Sequence, residues 1–193
     1  MKLLNRHVRV LSTALAFALI GLPLAASATP NNMDKTVMVG GAAMYPSRNI
    51  IQNAVNSKDH TTLVAAVKAA GLVGTLEGKG PFTVFAPTNE AFAALPAGTV
   101  QTLLKPANKA TLVKILTYHV VPGRYTAQDL AAKAAANGGK AELKTVEGEN
   151  LTVSKDGSGW DVTDAKGNTA HITIANVMQS NGVIFVIDKV LMP

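Results

Sequence analysis

The spacing of apolar positions changes along the chain, and with it the expected structure. Residues 10–24 form a nearly unbroken apolar run, and residues 29–46 are polar, glycine-bearing and aperiodic. From Ser47 the spacing becomes helical. Ile50, Ile51, Ala54 and Val55 share one face with Ser47 placed to cap it, and Asp59-His60-Thr61 opens a second helix. The buried stripe of that helix is Leu63, Val64, Val67 and Ala70, with Gly71 as its stop. Phe82-Thr83-Val84-Phe85 predicts a short strand that Pro87, lacking a donor, cannot extend. Thr88 is suited to cap the next helix, which carries Ala91, Phe92 and Leu95. Residues 98–104 and 108–118 continue the helical spacing, and Pro122-Gly123 predicts a type II turn. Thr126 and Asp129 form a capping-box pattern before an alanine-rich helix that stops at Asn137-Gly138.

The period then shortens to two. Residues 143–146, 151–154, 160–163, 169–175 and 183–190 read as strands separated by Gly- and Asn-bearing turns. His171-Ile172-Thr173-Ile174 alternates, as a half-buried strand does. Val183-Ile184-Phe185-Val186-Ile187 does not, which suits a central strand covered on both faces. Helices first, strands later and one early strand make an α+β domain.

The amino-terminal run changes the compartment. Lys2, Arg6 and Arg9 precede an apolar stretch of about fifteen residues, and Ala26-Ser27-Ala28 offers small residues for cleavage. The pattern predicts a signal peptide over 1–28, too short for an ordinary membrane span. A flexible lead-in over 29–44 and a domain over 45–193 follow. An exported chain is expected, periplasmic or secreted, with no transmembrane anchor after signal cleavage.

Removing 28 of 193 residues leaves 165, enough for one well-buried domain. It removes three of 18 basic residues and none of 12 acidic ones, so the formal charge falls from +6 to +3. The remaining lysines are scattered and not interleaved with aromatics, which argues against a nucleic-acid partner. The absence of cysteine excludes disulfides, thiolate catalysis, cysteine metal sites and a lipoprotein anchor.

Candidate chemistry is sparse. Tyr118-His119 offers a hydroxyl and an imidazole beside an apolar ledge, suited either to partner contact or to a hydrogen-bonded core pair. Asn89 and Asp188 sit inside apolar motifs, where a polar side chain is expected to bond nearby backbone. His60, His119 and His171 lack metal-ligand spacing, and Asp156, Asp161 and Asp164 stand at turns, so no metal or cofactor is expected. Gly157-Ser158-Gly159 lacks the Gly-x-Ser-x-Gly elbow, and no enzyme activity is expected.

Thr83-Val84-Phe85-Ala86-Pro87-Thr88-Asn89-Glu90-Ala91-Phe92, the Tyr118-His119 pair and the stretch from Asn181-Gly182 through Val186-Ile187-Asp188 occur in an order that resembles the fasciclin domain family. The resemblance implies a twisted β wedge flanked by short helices. Thr83, Phe85, Ala86, Pro87, Asn89, Phe92, Asn181, Gly182, Val186 and Ile187 would be its structural motif. It also implies a non-enzymatic module for adhesion, extracellular-matrix or surface recognition, with Tyr118, His119 and Asp188 as candidate partner-binding residues. Many relatives carry histidine at the position of Phe185, so a mechanism that needs that second histidine fails here. A second expectation is a carrier of a small apolar ligand or lipid, with a cleft lined by Met44, Leu72, Phe92 and Leu116.

Overall fold

A computed structural model describes residues 35–193; the expected signal peptide and the beginning of the lead-in lie outside the described residues. The described part of the lead-in is a hairpin, which corrects the expectation of a flexible 29–44. β1 (Val37–Val39) pairs antiparallel with β2 (Ala42–Met44). Gly40 and Gly41 supply the positive φ angles, 58° and 73°, that so tight a connection requires. Val39, beside the turn, and Met44, at the open end, are both buried.

The helical layer follows the expected spacing. α1 (Ile50–Ala54) is capped by Asn49, not by Ser47. The Asn49 side chain accepts from the Gln52 N–H at 2.8 Å, and Gln52 accepts from the Asn49 N–H at 3.0 Å. α2 (Thr61–Ala70) ends at Gly71 with φ 75°. The short α3 (Val73–Glu77) was not expected. It precedes β3 (Phe82–Pro87) and α4 (Asn89–Ala93), where Thr88 accepts from the Ala91 N–H as expected. α5 (Thr99–Leu103) and α6 (Lys109–Tyr118) complete this layer. Val120-Val121 is the core of a further strand, β4 (Val120–Pro122), before the turn at Gly123. α7 (Ala127–Ala136) carries the expected Thr126–Asp129 capping box.

Five strands end the chain: β5 (Lys140–Lys144), β6 (Asn150–Asp156), β7 (Gly159–Thr163), β8 (Thr169–Gln179) and β9 (Gly182–Ile187). The seven-stranded sheet has the order β4-β3-β9-β8-β7-β6-β5. β3 and β9 run parallel while the other neighbours are antiparallel, so the sheet is mixed and the fold is α+β.

β3 and β9, second and third of the seven strands, are covered on both faces, which explains why their sequences do not alternate. Val84, Ala86, Ile184 and Val186 enter one apolar cluster with α1, α2 and α6. Phe85, Val183, Phe185 and Ile187 enter a second cluster with Leu130, Leu143, Leu151 and Val162. Successive side chains point to opposite faces, and each face has its own core. Phe85 lies opposite Phe185 in the parallel register, with ring centroids 5.7 Å apart and planes 27° from parallel. Burial of each such side chain contributes about 1.5–3 kcal/mol.

Candidate functional site

The motif residues are first of all hydrogen-bond staples between these layers. Tyr118 ends α6 and is 0 % exposed. Its hydroxyl donates to the Asn150 carbonyl at 3.2 Å and accepts from the Ala165 N–H at 2.8 Å. Burial pushes its pKa up, partly offset by the Ala165 N–H. His119 is 2 % exposed. Its Nδ1 lies 2.8 Å from the Ile115 carbonyl, and its Nε2 lies 3.0 Å from the Leu191 N–H. A carbonyl can only accept and an N–H can only donate, so the proton sits on Nδ1. Burial pulls the pKa down to about 4, and the ring is neutral at pH 7. Both side chains face the interior, so neither offers the ledge for a partner that the Tyr118-His119 pair suggested.

Asp188 is half-buried at the end of β9, where its Oδ1 accepts the His171 N–H at 2.7 Å. Thr83 in β3 donates to the Gly123 carbonyl at 2.8 Å and accepts from the Tyr125 N–H at 2.9 Å, which holds the exit of β4. Asn89 reaches from α4 to the start of α2, a helix without a cap from its own N-cap residue. Its Oδ1 accepts from the Thr62 N–H at 2.9 Å, and its Nδ2 donates to the Lys58 carbonyl at 2.7 Å. Asn181, 6 % exposed, accepts from the Ile50 N–H at 3.0 Å and donates to the carbonyls of Leu76 at 2.7 Å and Gly78 at 2.8 Å. Beside it, Gly182 has no room for a side chain, since a Cβ there would lie 2.2 Å from the Phe82 carbonyl oxygen.

Groups outside those motifs carry the exposed chemistry. Tyr45 is 44 % exposed, and the Arg48 guanidinium stands 4.9 Å from the centre of its ring. Tyr45 also borders an open depression of about 470 Å³ shared with Arg124, Ser47 and Ser180. Arg124 is held there by the carbonyls of Gln179 at 3.1 Å and Ser180 at 3.0 Å. No motif or spacing in the sequence singles out Tyr45, Arg48 or Arg124. Arg124 immediately follows the Pro122-Gly123 turn, but nothing local says that this turn lies beside Tyr45.

The sheet also gathers residues that the sequence left at separate turns. Asp156, Asp161 and His171, from β6, β7 and β8, bring one ligand atom each within 4.8 Å of one another. His171 hydrogen-bonds Asp161, which raises the histidine's pKa. Of the four residues expected to line an apolar cleft, Met44, Leu72 and Leu116 do line one cavity and Phe92 does not.

A mixed sheet with a helical layer over its parallel β3–β9 pair places this chain in a known fold class. The Fasciclin domain profile matches residues 58–193. The chain belongs to the fasciclin domain family. It is 48 % identical over 182 residues to Protein sll1483 of Synechocystis sp., covering 94 % of this chain and 93 % of that protein. It is 35 % identical over 162 residues to the cell surface glycolipoprotein MPB83 of Mycobacterium bovis, covering 80 % of this chain and 64 % of that protein. Among solved structures it resembles the FAS1 domain pair of the insect cell adhesion molecule Fasciclin I, with TM-score 0.68 and 17 % identity. That match covers 76 % of this chain and spans about half, 51 %, of the solved chain, and it shows the fold alone.

Proposed function

We propose that the protein is an exported, non-enzymatic recognition module that binds an extracellular or envelope protein, or a matrix component, through the face around Tyr45. The observation that carries this reading is the exposed Tyr45 ring under the Arg48 guanidinium, beside the depression that Arg124 borders. Tyrosine and arginine are the residue types most often found to anchor protein interfaces, because each combines a large apolar body with directed polar groups. The name of one similar protein, a cell surface glycolipoprotein, points the same way. Export rests on the basic, apolar and small-residue order of residues 1–28.

The test is binding of the purified protein to native envelope and matrix fractions, with a heat-unfolded sample as control. Tyr45→Ala and Arg48→Ala are each expected to weaken a saturable, fold-dependent interaction about tenfold or more while leaving the melting temperature unchanged. Undiminished binding by both variants would reject this face. The mass of the protein recovered from its producing cell tests export, with cleavage expected after Ala28.

A further inference from the structure

β6, β7 and β8 lie side by side in the sheet, and their register gathers an imidazole and two carboxylates. Asp161 of β7 stands directly opposite His171 of β8. Asp156 of β6 lies two residues beyond Ser154, which is the β6 partner of Asp161. Side chains in opposite and diagonal positions on one face of antiparallel strands can reach one another. Val153, Val162 and Ala170 occupy the alternate positions and are buried, so the three donors stand on the solvent side. One ligand atom from each lies within 4.8 Å of the other two. The Asp188 carboxylate accepts the His171 backbone N–H at 2.7 Å and fixes β8 at that point.

Charge and donor type set this cluster apart from an ordinary acidic surface. Among the described residues, no lysine or arginine nitrogen lies within 4.0 Å of either carboxylate, and Asp161 pairs only with His171. The adjacent lysines are engaged elsewhere. Lys155 stands 5.6 Å from the centre of the Trp160 ring, and Lys189 donates to the Thr169 carbonyl at 3.1 Å. The chain has no cysteine, so imidazole is its best donor for a transition metal. Of the described histidines, His60 and His119 are buried and His171 is exposed.

We propose that Asp156, Asp161 and His171 form a binding site for a divalent transition-metal cation, with Zn²⁺ the best fit. Two carboxylate oxygens and one imidazole nitrogen suit Zn²⁺, which accepts both donor types, better than Ca²⁺ or Mg²⁺, which take oxygens. Zinc–donor bonds of about 2.0–2.2 Å put tetrahedral donors about 3.4 Å apart. The exposed Asp156 and His171 side chains are free to close to that spacing. Zn²⁺ would replace the proton that Asp161 Oδ1 and His171 Nδ1 share, and that proton passes to water. Three protein donors leave the fourth position to a water molecule. None of the three residues borders the depression beside Tyr45, so this inference stands or falls separately from the recognition reading.

Zn²⁺ alone, titrated into the full chain and followed by calorimetry and by the ring-proton resonances of His171, tests the proposal. One ion per chain should bind saturably and shift those resonances. Ca²⁺ should bind about tenfold or more weakly. Losing a residue that merely orients a metal ligand costs about 10–100-fold in affinity. Asp156→Asn, Asp161→Asn and His171→Gln should therefore each weaken Zn²⁺ binding about tenfold or more. Zn²⁺ should also raise the melting temperature of the natural chain and not that of the variants. The proposal is overturned if no saturable binding shifts the His171 resonances or if Ca²⁺ binds as tightly as Zn²⁺. It is equally overturned if His171→Gln binds Zn²⁺ unchanged, which would leave an acidic patch only. Asp156 and His171 are exposed, so their variants decide the matter should Asp161→Asn fail to fold.

Discussion

Nε2 of His119 accepts the backbone N–H of Leu191 at 3.0 Å, joining positions 72 residues apart. The other ring nitrogen donates to the Ile115 carbonyl at 2.8 Å. One neutral tautomer thus ties the last turn of α6 to the segment after β9, and protonation of Nε2 would destroy the bond to Leu191.

Acid should therefore loosen the domain. The His119 pKa is about 4 in the folded state against 6.5 in an exposed histidine, so the unfolded chain takes up the proton first as pH falls. This contribution is complete above pH 6.5 and declines between pH 6.5 and about 4, by about 3 kcal/mol in all. His60, also held low by burial, adds in the same direction. Urea unfolding at pH 7.5, 5.5 and 4.5 measures the slope. His119→Leu should lower stability at pH 7.5 by about 3 kcal/mol, through the stranded Leu191 N–H and Ile115 carbonyl, and should flatten the slope. A natural chain equally stable at pH 7.5 and 4.5 would contradict the assignment.

Asn89 caps a helix to which it does not belong. Asn89→Ala should cost about 1–2 kcal/mol by freeing the Thr62 N–H and the Lys58 carbonyl. Asn89→Asp keeps the acceptor and loses the donor, so it should recover part of the loss. Denaturant midpoints of the three proteins give the order, and an aspartate variant no better than alanine would show that the cap contributes little.

Gly182 is required by contact, not by backbone angle. A Cβ there meets the Phe82 carbonyl oxygen at 2.2 Å in the parallel β3–β9 pair, and neither strand can yield without breaking the ladder. Gly182→Ala should cost about 3 kcal/mol, the upper end of ordinary overpacking. Gly159→Ala in β7, where the backbone is not left-handed and a Cβ would lie at an ordinary 3.5 Å from the Asp156 carbonyl oxygen, controls for glycine loss in general. Equal thermal shifts in the two variants would remove the steric argument.

His171 titrates in the opposite sense to His119. Its hydrogen bond to Asp161 raises the pKa, so its contribution is complete below 6.5 and is lost as pH rises through the raised value. Asp161→Asn should return the His171 titration midpoint toward 6.5, read from its ring proton shifts. A midpoint that does not move would mean that the pair is not formed in solution.

Much of this architecture was legible along the chain because it rests on local rules. Thr88, Thr126 with Asp129, and Gly71 mark helix ends through bonds or backbone angles within four residues. The uniform burial of Val183 to Ile187 was readable because a strand covered on both faces has no polar side to show. The β1–β2 hairpin escaped notice since its strands are three residues each, too few to display a period. Ser47 and Asn49 are both competent caps two positions apart, and only the Gln52 side chain decides for Asn49.

The candidate site was less legible. Tyr118 and His119 stood out as polar residues among apolar ones, yet polarity does not say which way a side chain points. The choice between presenting them and burying them was made by the Asn150 and Leu191 backbones, 32 and 72 residues away. The same holds for Asp156, Asp161 and His171, which three antiparallel strands bring side by side.

By itself the sequence determined the α+β class, the succession of a helical layer by a run of strands and the last strand's cover on both faces, since these follow from periodicity and short-range capping. Tertiary structure alone decided that β3 and β9 run parallel, that Asn89 and Asn181 staple helices to one another and to the sheet, and that His119 joins α6 to Leu191. The reason is one of range. Periodicity and caps act within a few residues, whereas a buried polar atom takes whichever partner the packed chain brings within about 3 Å, and that partner can lie anywhere along it.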